Sequence, residues 1–363
     1  MFVYRRQSMT SSFGQRLKAA RLMAGLSMDD LVAKMKNSIS KQAISKYENG
    51  LMSPDSKVVL ALADALSVKP DYFFSQSDIA LEAVNFRKKA SLGKKVIESF
   101  KARVKDELER YIELESFLHA EARVSLKLPA KTISSLDDVE AAALQIRDLW
   151  HIGREGPVAY VVDLLEEHGI KVLELEAPEG FDGLSGRVEK APFIVLNKDS
   201  PSDRKRLTAL HEFAHLCLSF EPSVSEAELE KLCHSFGGSF LLPHDVLIKE
   251  LGAKRSDISF VELRNLKIQY GISMQAIMYR AKQHGIVSEY VYESFSKAIS
   301  AKGWRKHEPV DYPIKEVPQR FSQLLHRAIS EELISMSKGA YLANKSIEEL
   351  RLERLPQDAA PHP

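Results

Sequence analysis

Apolar positions along the chain fall into three regimes. From Ser12 to Phe74 they recur every three or four residues in short runs, at Phe13–Ala24, Met28–Met35, Ser40–Tyr47 and Ser56–Leu66. Tight breaks separate the runs: Gly25-Leu26-Ser27, Glu48-Asn49-Gly50, Pro54 and Pro70-Asp71-Tyr72. That spacing lays one apolar stripe on each helix, so the stretch predicts a compact all-α module over residues 12–74. Ser27, with Asp30 three residues on, and Ser40 stand where a side-chain oxygen caps the helix that follows.

In the second regime Val96, Phe100, Val104, Leu108, Tyr111, Leu114 and Leu118 mark one long amphipathic helix within a helical linker over 75–130. Its apolar face either packs on its own chain or forms a dimer seam. The third regime alternates. Helical patterns at Asp138–Trp150 and Val158–Glu167 precede strand patterns at Lys171–Leu175, Leu184–Val188 and Phe193–Leu196. Helices return at Ser202–Leu218, Glu226–Leu241, Phe260–Tyr270 and Ser273–Gln283. This predicts an α+β domain over 136–300, then a helical extension over 301–363 with a disordered, Pro- and Ala-rich tail. The fold class is mainly α with an α+β central domain.

Composition narrows the function classes. The 363 residues suit two or three domains, and 44% hydrophobic with 28% charged residues is ordinary globular usage. Formal net charge is +1, so any pull on nucleic acid or membrane must be local. Over residues 86–107 eight Lys/Arg face three Asp/Glu, and over 11–74 nine face six. The two cysteines, Cys217 and Cys233, cannot build a disulfide framework and suit a reducing compartment. No apolar run approaches the ~20 residues of a membrane helix, and Gln7–Gly14 is polar where a signal peptide needs an apolar core. A cytoplasmic location is expected.

In the N-terminal module two short helices joined by a turn fit a helix-turn-helix. On the second, Ala43, Ile44 and Tyr47 face the core. Lys41, Gln42, Ser45 and Lys46 face out, and all four can bond base edges or phosphates of double-stranded DNA. Gly14-Gln15-Arg16-Leu17-Lys18, Arg21, Gly25-Leu26-Ser27, Ile44-Ser45-Lys46-Tyr47-Glu48-Asn49-Gly50 and Pro54 resemble the Cro/cI-type helix-turn-helix of XRE-family regulators. One departure is the turn Lys36-Asn37-Ser38-Ile39, about two residues longer than is usual there. Readers of this type bind paired half-sites of an operator as dimers, so a homodimer is expected.

In the central domain His211-Glu212-Phe213-Ala214-His215 is an H-E-x-x-H sequence in a helical pattern. Four residues on a helix make about one turn, so both imidazoles reach one ion while Glu212 sits beside it. Such sites hold Zn²⁺ with a third protein ligand and a water, and the Glu acts as general base. The helix that follows offers Glu230 as third ligand, with Glu226 and Glu228 before it and His234 one turn on.

Glu230-Lys231-Leu232-Cys233-His234-Ser235-Phe236-Gly237-Gly238-Ser239-Phe240-Leu241-Leu242-Pro243 resembles the block that follows H-E-x-x-H in ImmA/IrrE-family metallopeptidases. Gly156-Pro157, Gly169-Ile170-Lys171-Val172, Gly186 and Arg204–Leu210 fit it too. Gly237-Gly238 replaces a small Ala pair, and His234 stands where Asn is common. The resemblance implies a zincin-like metallopeptidase domain. Its metal ligands would be His211, His215 and Glu230, with His234 as rival for the third place, and its catalytic base Glu212. The whole chain then reads as a DNA-binding regulator with a zinc-dependent endopeptidase that cleaves a protein, such as a co-encoded repressor or toxin. The alternative is a non-cleaving transcription factor or antitoxin-like protein whose metal domain senses metal or a partner; an intact Glu212 favours chemistry.

Three further readings attach to particular segments. Phe193–Leu196 either pairs, as an edge strand, with an extended substrate or only closes the sheet. The cysteines are either redox-active near the metal or buried small hydrophobes. The run Tyr270–Arg280 mimics a second helix-turn-helix, but its second helix is apolar, which assigns it to the central domain's helical tail.

Overall fold

The computed structural model describes residues 2–75, 79, 81–82, 93–119, 132–188 and 191–355. Arg87, Lys88 and Lys89 of the basic stretch, and residues 356–363 of the expected tail, lie outside them. The chain divides into two compact units: residues 1–81, 86–121 and 321–363 form the first, and residues 82–85 and 122–320 the second.

Unit one opens with α1 (Phe2–Met23), α2 (Met28–Lys34), α3 (Lys41–Glu48), α4 (Ser56–Leu66) and a 3₁₀ turn at Pro70–Phe74. The expected caps are present: Ser27 and Asp30 form a capping box at α2, and the Ser40 side chain accepts the Ala43 N–H at α3. Leu17, Leu31, Ile44, Leu62 and Phe73 are fully enclosed at the centre. The long turn between α2 and α3 places Lys36 and Asn37 in the left-handed region, at φ 54° and 56°, and buries Ile39 in the module's core. After β1 (Leu81–Glu82) comes α5 (Lys94–Leu118).

Unit two begins with α6 (Leu136–Leu149) and α7 (Val161–Glu167), followed by β2 (Lys171–Leu175), β3 (Gly183–Val188) and β4 (Ala191–Asn197). Then come α8 (Ser202–Cys217), α9 (Glu226–Leu241), α10 (His244–Leu251), α11 (Phe260–Tyr270), α12 (Met274–Gln283) and α13 (Glu289–Ala301). β4 lies between β2, which it pairs in parallel with Lys171 opposite Phe193, and β3, which it pairs antiparallel with Ser185 opposite Ile194. Phe193–Leu196 is therefore not an edge. Its four consecutive apolar side chains are all buried, the pattern of a strand covered on both faces, and its backbone groups are committed on both sides. No strand addition can take place there. The helix α12 belongs to this unit's core through Ile277, Met278 and Ala281, as the apolar second helix of the mimic predicts.

Cations brace the second unit from inside. The enclosed Arg206 donates to the Val158, Ala159 and Gly271 carbonyls and pairs with Glu316, which accepts the Val161 and Val162 N–H groups at the start of α7. Burial would raise the Glu140 carboxyl, but bonds from His284, Arg280 and Ser239 hold it down at about 2. A buried charge is tolerated only when partners replace its water.

The chain closes with α14 (Arg320–Ser330), α15 (Met336–Leu342) and α16 (Ile347–Glu353). From Phe321 onward these residues complete unit one: the Tyr111 and Phe321 rings lie 5.4 Å apart, and Arg110 donates to the Leu342 carbonyl. The stripe on α5, with Phe100, Val104, Leu108, Tyr111 and Leu114 buried, is covered by α1 and α15. Among the described residues no helix is long and apolar enough to cross a membrane.

Candidate metal centre and nucleic-acid interface

The metal-type cluster is built from two adjacent helices. His211 and His215 stand one turn apart on α8, their Nε2 atoms 3.1 Å from each other. Glu230 comes from α9, which Ser225 starts by accepting the Glu228 N–H. One carboxylate oxygen of Glu230 is 3.5 Å from His211 Nε2, and the other is 3.2 Å from His215 Nε2. One ligand atom from each residue lies within 4.8 Å of the others. Two imidazole nitrogens and one carboxylate are the donor set of an open zinc site. All three side chains are partly solvent-exposed, so an ion can reach them.

Neighbouring groups fix these side chains. Cys233 Sγ is 3.6 Å from His215 Nδ1, on the ring edge opposite the cluster. Both cysteines are free thiols and buried, and burial pushes the Cys217 thiol well up. Glu212 is not one of the gathered three; its Oε2 accepts the Ser185 hydroxyl at 2.7 Å. His234 also stays outside. Its ring lies 6.2 Å from that of His211 and 6.3 Å from Tyr279, and the surrounding protein lowers its pKa. Glu226 and Glu228 are exposed in the first turn of α9. Sequence reasoning missed Ser185 and the Cys233 contact; the only available signal for Ser185 was strand alternation, which puts it on the same face as Gly183.

On α3, Lys41, Gln42 and Lys46 are exposed and Ser45 is partly so, while Ile44 and Tyr47 are buried. Lys41 pairs with Asp29 at 2.6 Å in the open, where such a pair is worth little and can be exchanged for a phosphate. Asn49 donates to the Ser45 carbonyl at 2.8 Å. What orients this helix lies behind it. Arg21 on α1 forks onto Glu48 with bonds of 2.6 and 2.8 Å. A Cβ on Gly14 would fall 2.5 Å from the Tyr47 carbonyl oxygen, so α1 and the end of α3 meet backbone to backbone.

Comparison with known families matches residues 17–73 to the helix-turn-helix family and residues 165–282 to the IrrE N-terminal-like domain, a peptidase family. No curated protein matches the chain.

Proposed function

We propose, on the premise that this chain fuses an XRE-type helix-turn-helix with an ImmA/IrrE-type peptidase-family domain, that it is a cytoplasmic DNA-binding regulator that cleaves a partner repressor. The supporting observation is the convergence of His211, His215 and Glu230 with Glu212 tethered beside them. A zinc ion bound by those three would polarise a peptide carbonyl and make water nucleophilic near neutral pH. Glu212 takes the proton of the attacking water and passes it to the departing amine. Cys233, beside Nδ1 of His215, helps keep Nε2 turned to the cluster. On DNA, Gln42 and Ser45 read base edges while Lys41 and Lys46 hold phosphates. The working form is a homodimer on paired half-sites. The centre of the α5 stripe is covered by its own chain, while Val96 at its start stays exposed, so only the start of α5 remains open to a dimer seam.

Metal analysis with variants tests this reading. The purified protein should carry about one zinc per chain. His211→Ala or His215→Ala should abolish binding, and Glu230→Gln should weaken it. Glu212→Gln should keep the metal and lose about 10²–10⁴-fold in cleavage rate. In cells, the wild type and Glu212→Gln are compared on the target promoter and on the abundance of a co-encoded repressor. Identical behaviour on both would replace the peptidase with a non-cleaving sensor. Zinc that survives Glu230→Ala but not His234→Ala would make His234 the third ligand.

A further inference from the structure

The face of β3 turned to α8 is built from alternate residues, Gly183, Ser185 and Arg187, and it meets every fourth residue of the helix. A Cβ on Gly183 would fall 2.5 Å from Thr208 Cγ2 and 3.3 Å from Glu212 Cγ. Ser185 donates its hydroxyl to Glu212 Oε2 at 2.7 Å. Arg187 donates to the Leu216 carbonyl at 3.1 Å, in the last turn of α8, where carbonyls lack helical partners. Two strand residues advance about 6.6 Å and four helix residues about 6 Å, so strand and helix stay in step across all three contacts. Glu212 sits at the middle one. Its side chain is hemmed at Cγ by the bare backbone of Gly183 and held at the carboxylate by Ser185, which is itself buried.

We propose that Ser185 is a positioning residue for Glu212: its hydroxyl fixes one carboxylate oxygen so that the other is presented to the water at the metal cluster. This rests on the metallopeptidase reading above. A carboxylate on a glutamate stem has three rotatable bonds, each of which must be fixed for the group to be aimed. The β3 contact removes that freedom before substrate arrives, which is what preorganisation of a reacting group requires. The hydroxyl matters rather than the shape, so Ser185→Thr should serve and Ser185→Ala should not.

The test needs no natural substrate. Full-length protein is loaded with zinc and titrated with acetohydroxamate, a small chelator whose bound form hydrogen-bonds a carboxylate beside the metal. Ser185→Ala should bind zinc like the wild type but hold acetohydroxamate about 10-fold more weakly, the low end of what losing an outer partner costs. Ser185→Thr should restore the affinity. Glu212→Gln should lose at least as much, and adding Ser185→Ala to it should cost nothing more, because the two act as one unit. Unchanged affinity in Ser185→Ala, or a further loss of about 10-fold in the Glu212→Gln background, would overturn the inference while leaving the metal reading intact. A wild type that holds no zinc would overturn both. If Ser185→Ala does not fold, Ser185→Cys takes its place: its weak donor should give an affinity below that of Ser185→Thr, and equal affinity would count against the proposal.

Discussion

On α3 the side chains assigned to DNA are exposed or partly so, whereas on α8 the histidines assigned to the metal are half-buried beside Glu230 and Cys233 of α9, and the adjacent Glu212 is held by β3. The first arrangement makes function a matter of how a whole helix is aimed, and the aim comes from residues that never meet the ligand: Arg21, Glu48 and Gly14. The second makes function a matter of a few atoms converging, and the aim comes from immediate neighbours such as Ser185 and Cys233. A reading face therefore tolerates changes among its tips and fails when its frame moves. A metal cluster fails at its tips first.

The sharpest way to break this contrast is to attack the frame of unit one. Arg21→Met leaves Glu48 buried without the fork it pairs with, a defect that typically costs about 3–5 kcal/mol. Denaturant melts should show unit one unfolding early, with operator affinity lost and zinc content unchanged. Retained operator binding would show that α3 is aimed by something else.

The second unit's frame should respond to pH. Glu166 is buried; its Oε2 accepts the Gln319 and Arg320 N–H groups, and its Oε1 lacks a hydrogen-bond partner. Burial pushes its pKa up to about 7 from the ordinary 4.5. A carboxyl with a raised folded pKa contributes stability that is fully present below about pH 4.5 and is lost as pH rises through about 7. The loss amounts to at most about 3 kcal/mol. Glu166→Gln removes the charge and keeps an acceptor, so it should melt above the wild type at pH near 8 and alongside it near 5. Parallel melting curves across that range would rule the effect out.

Taken one side chain at a time, the smallest effects belong to the exposed tips. Gln42→Ala with Ser45→Ala should cost about 1–3 kcal/mol per lost base contact and relax sequence preference. Lys41→Ala and Lys46→Ala should each lower the salt slope of operator binding by about one, whatever the sequence. A footprint with unchanged preference in the Gln42/Ser45 double variant would move the reading face off α3.

Local rules account for what the sequence made legible. The caps at Ser27 and Ser40, the strands at β2 to β4 and the one-turn spacing of His211 and His215 each depend on residues a few positions apart. Glu230 was within reach because it follows on the next helix. Ser185 was not, since its value depends on β3 lying along α8 in step, 27 positions away in sequence. The same holds for Arg206 with Glu316 and Arg280 with Glu140: charged residues read as solvated until a distant partner encloses them. The place of Phe193–Leu196 in the sheet stayed open between two readings, because an apolar run fixes burial but not which strand lies on either side.

Unit one is discontinuous in the chain: α5 waits for helices encoded after residue 320, with about 200 residues between. At about 5–20 residues per second of synthesis, the ribosome spends roughly 10–40 seconds on that interval. During it the stripe on α5 lacks its C-terminal cover, and the second unit is made in full by its end. Unit one is thus completed only after the second unit has been synthesised. A messenger cut short, or a nick in the newborn chain before α14, yields a peptidase-type unit beside an unfinished reader. The topology acts as a checkpoint on synthesis, because only a chain translated through α14, α15 and α16 has a fully packed first unit.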